Sequence, residues 1–107
     1  MRIRIPPKRI REKFLIVYEL DGAKKAVNFL TEYYGVRGMK IVVDGRRVPK
    51  GYSGLYSNRK AYFTRRGLRR RIVLHECYHH LAKEKGLELP LNVEERQACT
   101  YASEFLR

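Results

Sequence analysis

Two cysteines, three histidines, one glutamine and no tryptophan in 107 residues leave few positions for specialised chemistry. Cys77 and Cys99 are too few for the disulfide framework of a small secreted domain, so free thiols in a reducing, cytoplasmic setting are expected. The best apolar run, Phe14 to Tyr18, is far too short for a signal peptide or a membrane span. Acidic residues are also scarce. Only 11 Asp and Glu stand against 24 Lys and Arg, a net charge of +13. Such an excess favours acidic surfaces or nucleic acid as partners and carries no information about the fold. Scarce side-chain amides beside abundant Arg, Lys and Glu hint at a thermophilic source. No repeat or low-complexity segment occurs, and the chain reads as one domain, residues 1–107, with a modest core.

In chain order, residues 1–7 read as an extended arm ending in Pro6-Pro7. Ile10, Phe14 and Val17 then fit a helix opened by Pro7, although Phe14 to Tyr18 also suits a strand. Asp21 is a fair N-cap for a second helix over about residues 21–35. Its apolar stripe would be Ala26, Phe29 or Leu30, and Tyr33, with Gly35 at its end. Met39 to Val43 reads as a strand, Asp44-Gly45 as a hairpin turn and Arg46 to Val48 as the return. After a loop, Leu55 to Ser57 and Ala61 to Thr64 read as a second hairpin around Asn58-Arg59. The arginine-rich run from Arg65 to Arg71 leads into a helix that Gly86 can terminate. So many cations oppose a helix dipole and read as a solvated loop. After Pro90, Asn92-Val93-Glu94-Glu95 opens a last helix. Two helices, a small antiparallel or mixed sheet and two more helices make an α+β domain.

The stretch with chemical content is Arg71-Ile-Val-Leu-His-Glu-Cys-Tyr-His-His-Leu-Ala82. On a helix, His75 and His79 share a face and can both reach one zinc ion at roughly 2 Å. Glu76 lies about 100° around the helix, beside the metal, where a carboxylate can take a proton from zinc-bound water. This is the HExxH pattern, which three His and nine Glu would produce by chance roughly once in a hundred such chains. Leu74, Cys77 or Tyr78, and Leu81 recur at helical spacing, which gives the helix a core face separate from its histidines.

A catalytic zinc site needs a third protein ligand and a water. His80 is the only other histidine and points about 100° away from His79. That leaves a carboxylate on the last helix, where Glu94 and Glu95 are both available. Asn92-x-x-Glu95 also fits a capping box, and Glu94 also suits a first helical turn.

Glu94-Glu-Arg-Gln-Ala-Cys-Thr-Tyr-Ala-Ser-Glu-Phe-Leu106 resembles the second motif of ImmA/IrrE-type metallopeptidases. There a ligand Glu is followed by x-x-Ala-Asn/Asp and an aromatic-Ala pair. Gly51-Tyr-Ser-Gly-Leu-Tyr56, the strand Ala61 to Thr64 and Arg69 to Glu76 resemble the same family. A similar Glu-x-x-Ala-Asp register occurs in the membrane-embedded HtpX and CAAX-protease group. A soluble domain of this size is most similar to the archaeal minigluzincins, minimal relatives of that group. The resemblance covers about residues 21–107. It implies a minimal zincin (gluzincin) fold with a backing helix, a small sheet, an HExxH helix and a C-terminal Glu-ligand helix. It implies one zinc per chain on His75, His79 and Glu95, with Glu76 as the catalytic base of a metalloendopeptidase. One residue departs from the pattern. Cys99 stands where relatives have Asp or Asn, a residue that orients a ligand histidine, and a thiol does this poorly. Weaker zinc binding or activity is the implied consequence.

The partner expected from this reading is a peptide or protein substrate, paired as an extended strand along Ala61 to Thr64. Tyr62 and Tyr101 are the candidates for oxyanion stabilisation. Minigluzincins resemble zymogens with an obstructed cleft, which makes Tyr101 to Arg107 a blocking segment, within one chain or swapped in a homodimer. A reading from another class is a basic module that binds nucleic acid or protein through Arg65 to Arg71 and Lys8 to Lys13. Its zinc site would be structural or vestigial, and a structural site is closed by four protein ligands where a catalytic one stays open.

Overall fold

The computed structural model describes all residues 1–107. Proline has no N–H to leave unpaired at a helix start, and Pro7 stands immediately before α1 (Lys8–Asp21). Phe14 to Tyr18 is helical, and Phe14 is fully buried with its ring edge-on to Phe105, centroids 5.0 Å apart. Because α1 runs through Asp21, that residue closes the first helix and does not cap the second. The chain bends at Gly22 and continues as α2 (Ala23–Tyr34), which turns Ala26, Val27 and Leu30 into the core and packs against α1.

β1 (Lys40–Val43), β2 (Gly54–Ser57) and β3 (Lys60–Phe63) form a mixed sheet in the order β1-β3-β2. The hairpin predicted around Asn58-Arg59 is present. β2 and β3 pair antiparallel with Leu55 opposite Tyr62, and both turn residues take left-handed φ of 51° and 63°. The hairpin predicted at Asp44-Gly45 is absent. Asp44 Oδ1 accepts the Arg46 amide at 3.1 Å, and Gly45–Arg47 winds into a 3-10 turn in place of a return strand. A local side-chain turn of this kind competes with the tight hairpin. β1 instead pairs parallel with β3, Ile41 opposite Ala61. Strand β3 is therefore central, so a peptide cannot pair along Ala61 to Thr64; β2 is the free edge that faces α3.

α3 (Arg70–Glu84) is the most enclosed element, with Val73, Leu74, Cys77, Tyr78, Leu81 and Ala82 buried. Arg69, Arg70 and Arg71 at its start are exposed. α4 (Leu91–Phe105) begins behind Pro90, one residue before Asn92, so the capping box does not form and Glu95 is free for other contacts. Tyr101, Ala102 and Phe105 of α4 lie in the core. The segment from Tyr101 onward thus completes a packed helix and does not lie across the cleft of its own chain.

The N-terminal arm has a defined seat. Ile3 is buried and its amide donates to Tyr78 Oη at 3.1 Å. Gln97 Nε2 donates to the Met1 carbonyl at 3.1 Å, and Tyr78 Oη donates to Gln97 Oε1. Tyr78 belongs to α3 and Gln97 to α4, so the arm ties together the two helices that carry the histidines and the carboxylates. No helix is long and apolar enough to cross a membrane.

Candidate metal centre

The core face of α3 points Leu74, Cys77, Tyr78 and Leu81 inward, which turns His75 and His79 toward α4 and the mouth of a cleft. Their rings sit one turn apart, centroids 5.1 Å and 69° between planes. α4 packs along α3 through Ala98, Tyr101 and Ala102, and its first turns bring two carboxylates opposite the imidazoles. Glu95 Oε2 lies 3.1 Å from His75 Nε2, and Glu95 Oε1 lies 2.8 Å from His79 Nε2. Donor atoms of His75, His79 and Glu95 all fall within 4.8 Å of one another. The structure therefore brings together the three residues that the resemblance implied, and it separates Glu95 from Glu94.

The other ring nitrogens are also engaged. His79 Nδ1 meets Glu94 Oε2 at 2.5 Å, and His75 Nδ1 meets Cys99 Sγ at 3.6 Å. These contacts fix both ring orientations and aim both Nε2 atoms at one point. In sequence Glu94 reads as an alternative third ligand or as a first-turn charge, not as a partner of a histidine's other nitrogen. Its contact with His79 depends on how α4 is rotated against α3, and its adjacency to the ligand candidate is the one local signal.

Glu76 is 8% exposed and sits beside the cluster without joining it. Burial pushes its carboxyl up to about 7, against the opposing pull of His79 and of the Tyr56 amide. Strand β2 approaches it closely at Gly54, where an added Cβ would stand 3.3 Å from Glu76 Cγ and 3.1 Å from the Phe63 ring. A side chain there would make Phe63 and Glu76 give way by a few tenths of an ångström. His80 is fully buried and turned away from the cluster. Its Nε2 donates to the Arg37 carbonyl at 2.7 Å, which leaves Nδ1 to accept from Tyr56 Oη at 2.9 Å.

Two cavities open on either side of the cluster, of about 840 Å³ and about 310 Å³. Both are lined by Tyr52, Gly54, His75, Glu76 and Glu95. The larger extends along β2 to Asn58 and along α3 to Lys83; the smaller runs back along α3 to Arg71. Neither Tyr62 nor Tyr101 reaches them. Arg47 covers the Tyr62 ring at 4.8 Å, and Tyr101 is buried with its hydroxyl 2.9 Å from that of Tyr34. Both cysteines are free, Cys77 buried and Cys99 exposed.

The donor set suits zinc. Ligands about 2 Å from a tetrahedral ion stand roughly 3.3 Å apart, close to the 2.8 and 3.1 Å separations here. Two imidazole nitrogens and a carboxylate are a borderline-soft set, and open space lies beside it. No protein-family model, curated protein or solved structure matches the chain, so the chemistry of this centre is read from its own atoms.

Proposed function

We infer that this chain is a zinc-dependent endopeptidase of the minimal gluzincin kind. The observation that carries the reading is the convergence of His75 Nε2, His79 Nε2 and the Glu95 carboxylate at the junction of two cavities, with Glu76 beside them. A zinc ion held by those three residues supplies the Lewis acidity that polarises a carbonyl and acidifies a water. The remaining work falls to the chain itself. Glu76 takes the proton of the attacking water on its carboxylate and returns it to the leaving amine. Burial leaves this carboxylate poorly solvated, which strengthens it as a proton acceptor. The free edge of β2 offers an extended peptide its backbone partners along the cleft. Glu94 and Cys99 keep the two imidazoles oriented.

Three converging donors beside open space favour this reading over a structural zinc site, which four protein ligands would close. The nucleic-acid reading draws on the net charge and on the basic runs Arg65 to Arg71 and Lys8 to Lys13, whereas the cleft floor carries three carboxylates, Glu76, Glu94 and Glu95. In the test, His79→Ala loses stoichiometric zinc by elemental analysis. Glu76→Gln keeps zinc while cleavage of a peptide mixture drops by roughly 10²-fold or more. Zinc retained in the first variant, or unchanged turnover in the second, overturns the assignment.

A further inference from the structure

On α3 the histidines belong to a longer row. Arg71, His75, His79 and Lys83 follow at four-residue spacing, each step drifting about 40° around the axis, so a row that winds slowly along the helix presents a cation, two imidazoles and a second cation. The two cations end in different cavities: Arg71 lines the smaller, Lys83 the larger. Both are exposed, and neither makes an ion pair. Arg71 donates to Ser103 Oγ at 2.7 Å, which anchors the guanidinium and leaves its other N–H groups free. Twelve residues of helix separate Arg71 from Lys83, about 18 Å of rise. An extended peptide covers that span with about five residues.

We propose that the cleft is built for acidic peptides, with Arg71 and Lys83 binding carboxylate side chains on opposite sides of the bond nearest the metal centre. The inference rests on the endopeptidase reading and adds the class of substrate. The spacing carries it. A peptide lying along β2 and centred on His75 and His79 brings the residues about two positions away on each side over the two cations. The rest of the floor is acidic, through Glu76, Glu94 and Glu95, so Arg71 and Lys83 are the points where an anion gains. An arginine fork grips a carboxylate in two places, which makes the smaller cavity the stricter of the two.

The test uses the full chain carrying Glu76→Gln, loaded with one equivalent of zinc. Its probes are fluorescent alanine-rich peptides, blocked at both ends, with Glu or Gln two positions either side of the centre. The Glu peptide should bind about tenfold more tightly by anisotropy. Arg71→Gln and Lys83→Gln should each remove part of the preference, and the double variant all of it. Arg66→Gln with Arg107→Gln removes the same charge from exposed positions away from the cleft and should leave the preference intact. Equal affinities, no binding of either peptide, or a preference that survives in the double variant overturns the proposal. A Gln peptide that gains as much from an unblocked C-terminus assigns the anion to a terminal carboxylate and overturns the side-chain role. The two readings fail separately. Wild-type protein that cleaves peptides without an acidic preference sinks only this inference. Arg71-dependent binding with no cleavage sinks only the endopeptidase reading.

Discussion

At His75 the contact on the ring nitrogen opposite Glu95 is a thiol. For Nε2 to offer a lone pair, Nδ1 must carry the proton and donate it, here to Cys99 Sγ at 3.6 Å. Sulfur is a weak acceptor, so this imidazole is held more loosely than that of His79, whose Nδ1 faces Glu94 at 2.5 Å. Cys99→Asp should therefore raise zinc affinity by roughly tenfold, and Glu94→Ala should lower it by a similar factor, measured by competition with a chelating dye. Unchanged affinity in both variants would mean that the Nδ1 contacts do not tune the site. His75, Glu76 and His79 were legible in sequence because the geometry of one helical turn is local and needs no tertiary knowledge. The choice between Glu94 and Glu95 was not legible from spacing. Adjacent residues on a helix differ by about 100°, and which one faces α3 depends on where α4 begins and how it is rotated. The helix begins behind Pro90, not at an Asn92 cap, and that shift frees Glu95 from a capping role.

Among the elements, helices were easier to read than strands. The stripe of α3 follows from residue spacing, that of α2 only through Ala26 and Leu30, because Tyr33 at its end is exposed and Val27 takes a core place; the Asn58-Arg59 hairpin follows from residues that tolerate positive φ. The Asp44-Gly45 hairpin failed because Asp44 bonds the Arg46 amide, a local contact that leaves β1 to find a distant partner in β3. A parallel pair joined through β2 has no short-range signature, so the identity of the edge strand was hidden too. That edge is held in place by a close backbone crossing. The Ser53 carbonyl accepts the Thr64 amide at 3.2 Å, and it also lies 2.0 Å from where a Cβ on Gly67 would sit. Gly67→Ala must push these two loops apart, at about 1–3 kcal/mol for overpacking. Its melting temperature by circular dichroism should fall by roughly 5 °C or more. An unchanged melting temperature would show that the crossing can open freely.

For the molecule as a whole, the question is what joins α3 to α4 against a net charge of +13. The Cα radius of gyration is 12.7 Å, close to the roughly 13 Å expected of a folded chain this long, so the charge does not swell the fold. Only two Lys/Arg–acid ion pairs form, Arg37–Glu84 and Arg46–Asp44, and the arginine of each is well exposed. Cohesion between the two helices comes from the buried Tyr78, Tyr101 and Phe105 cluster and from the N-terminal arm across Tyr78 and Gln97. At the cleft side the link is polar, through His75 and His79 against Glu95 and Glu94. A cation held there would bridge α3 to α4 at a site that exists only in the folded chain, so its binding energy would add to stability by mass action. With free zinc at 100 times its dissociation constant the gain is about 2.7 kcal/mol, which should raise the melting temperature by roughly 10 °C or more in a domain of this size. Both imidazoles must be neutral to ligate, so protons oppose zinc, and the shift should shrink as pH falls from about 7.5 to about 5. Glu95→Ala removes the α4 half of the bridge. That variant should melt near the metal-free wild type and respond little to zinc at either pH, as scanning calorimetry with and without a chelator would measure. A zinc shift of full size in Glu95→Ala would place the metal on α3 alone and break the link between the two helices.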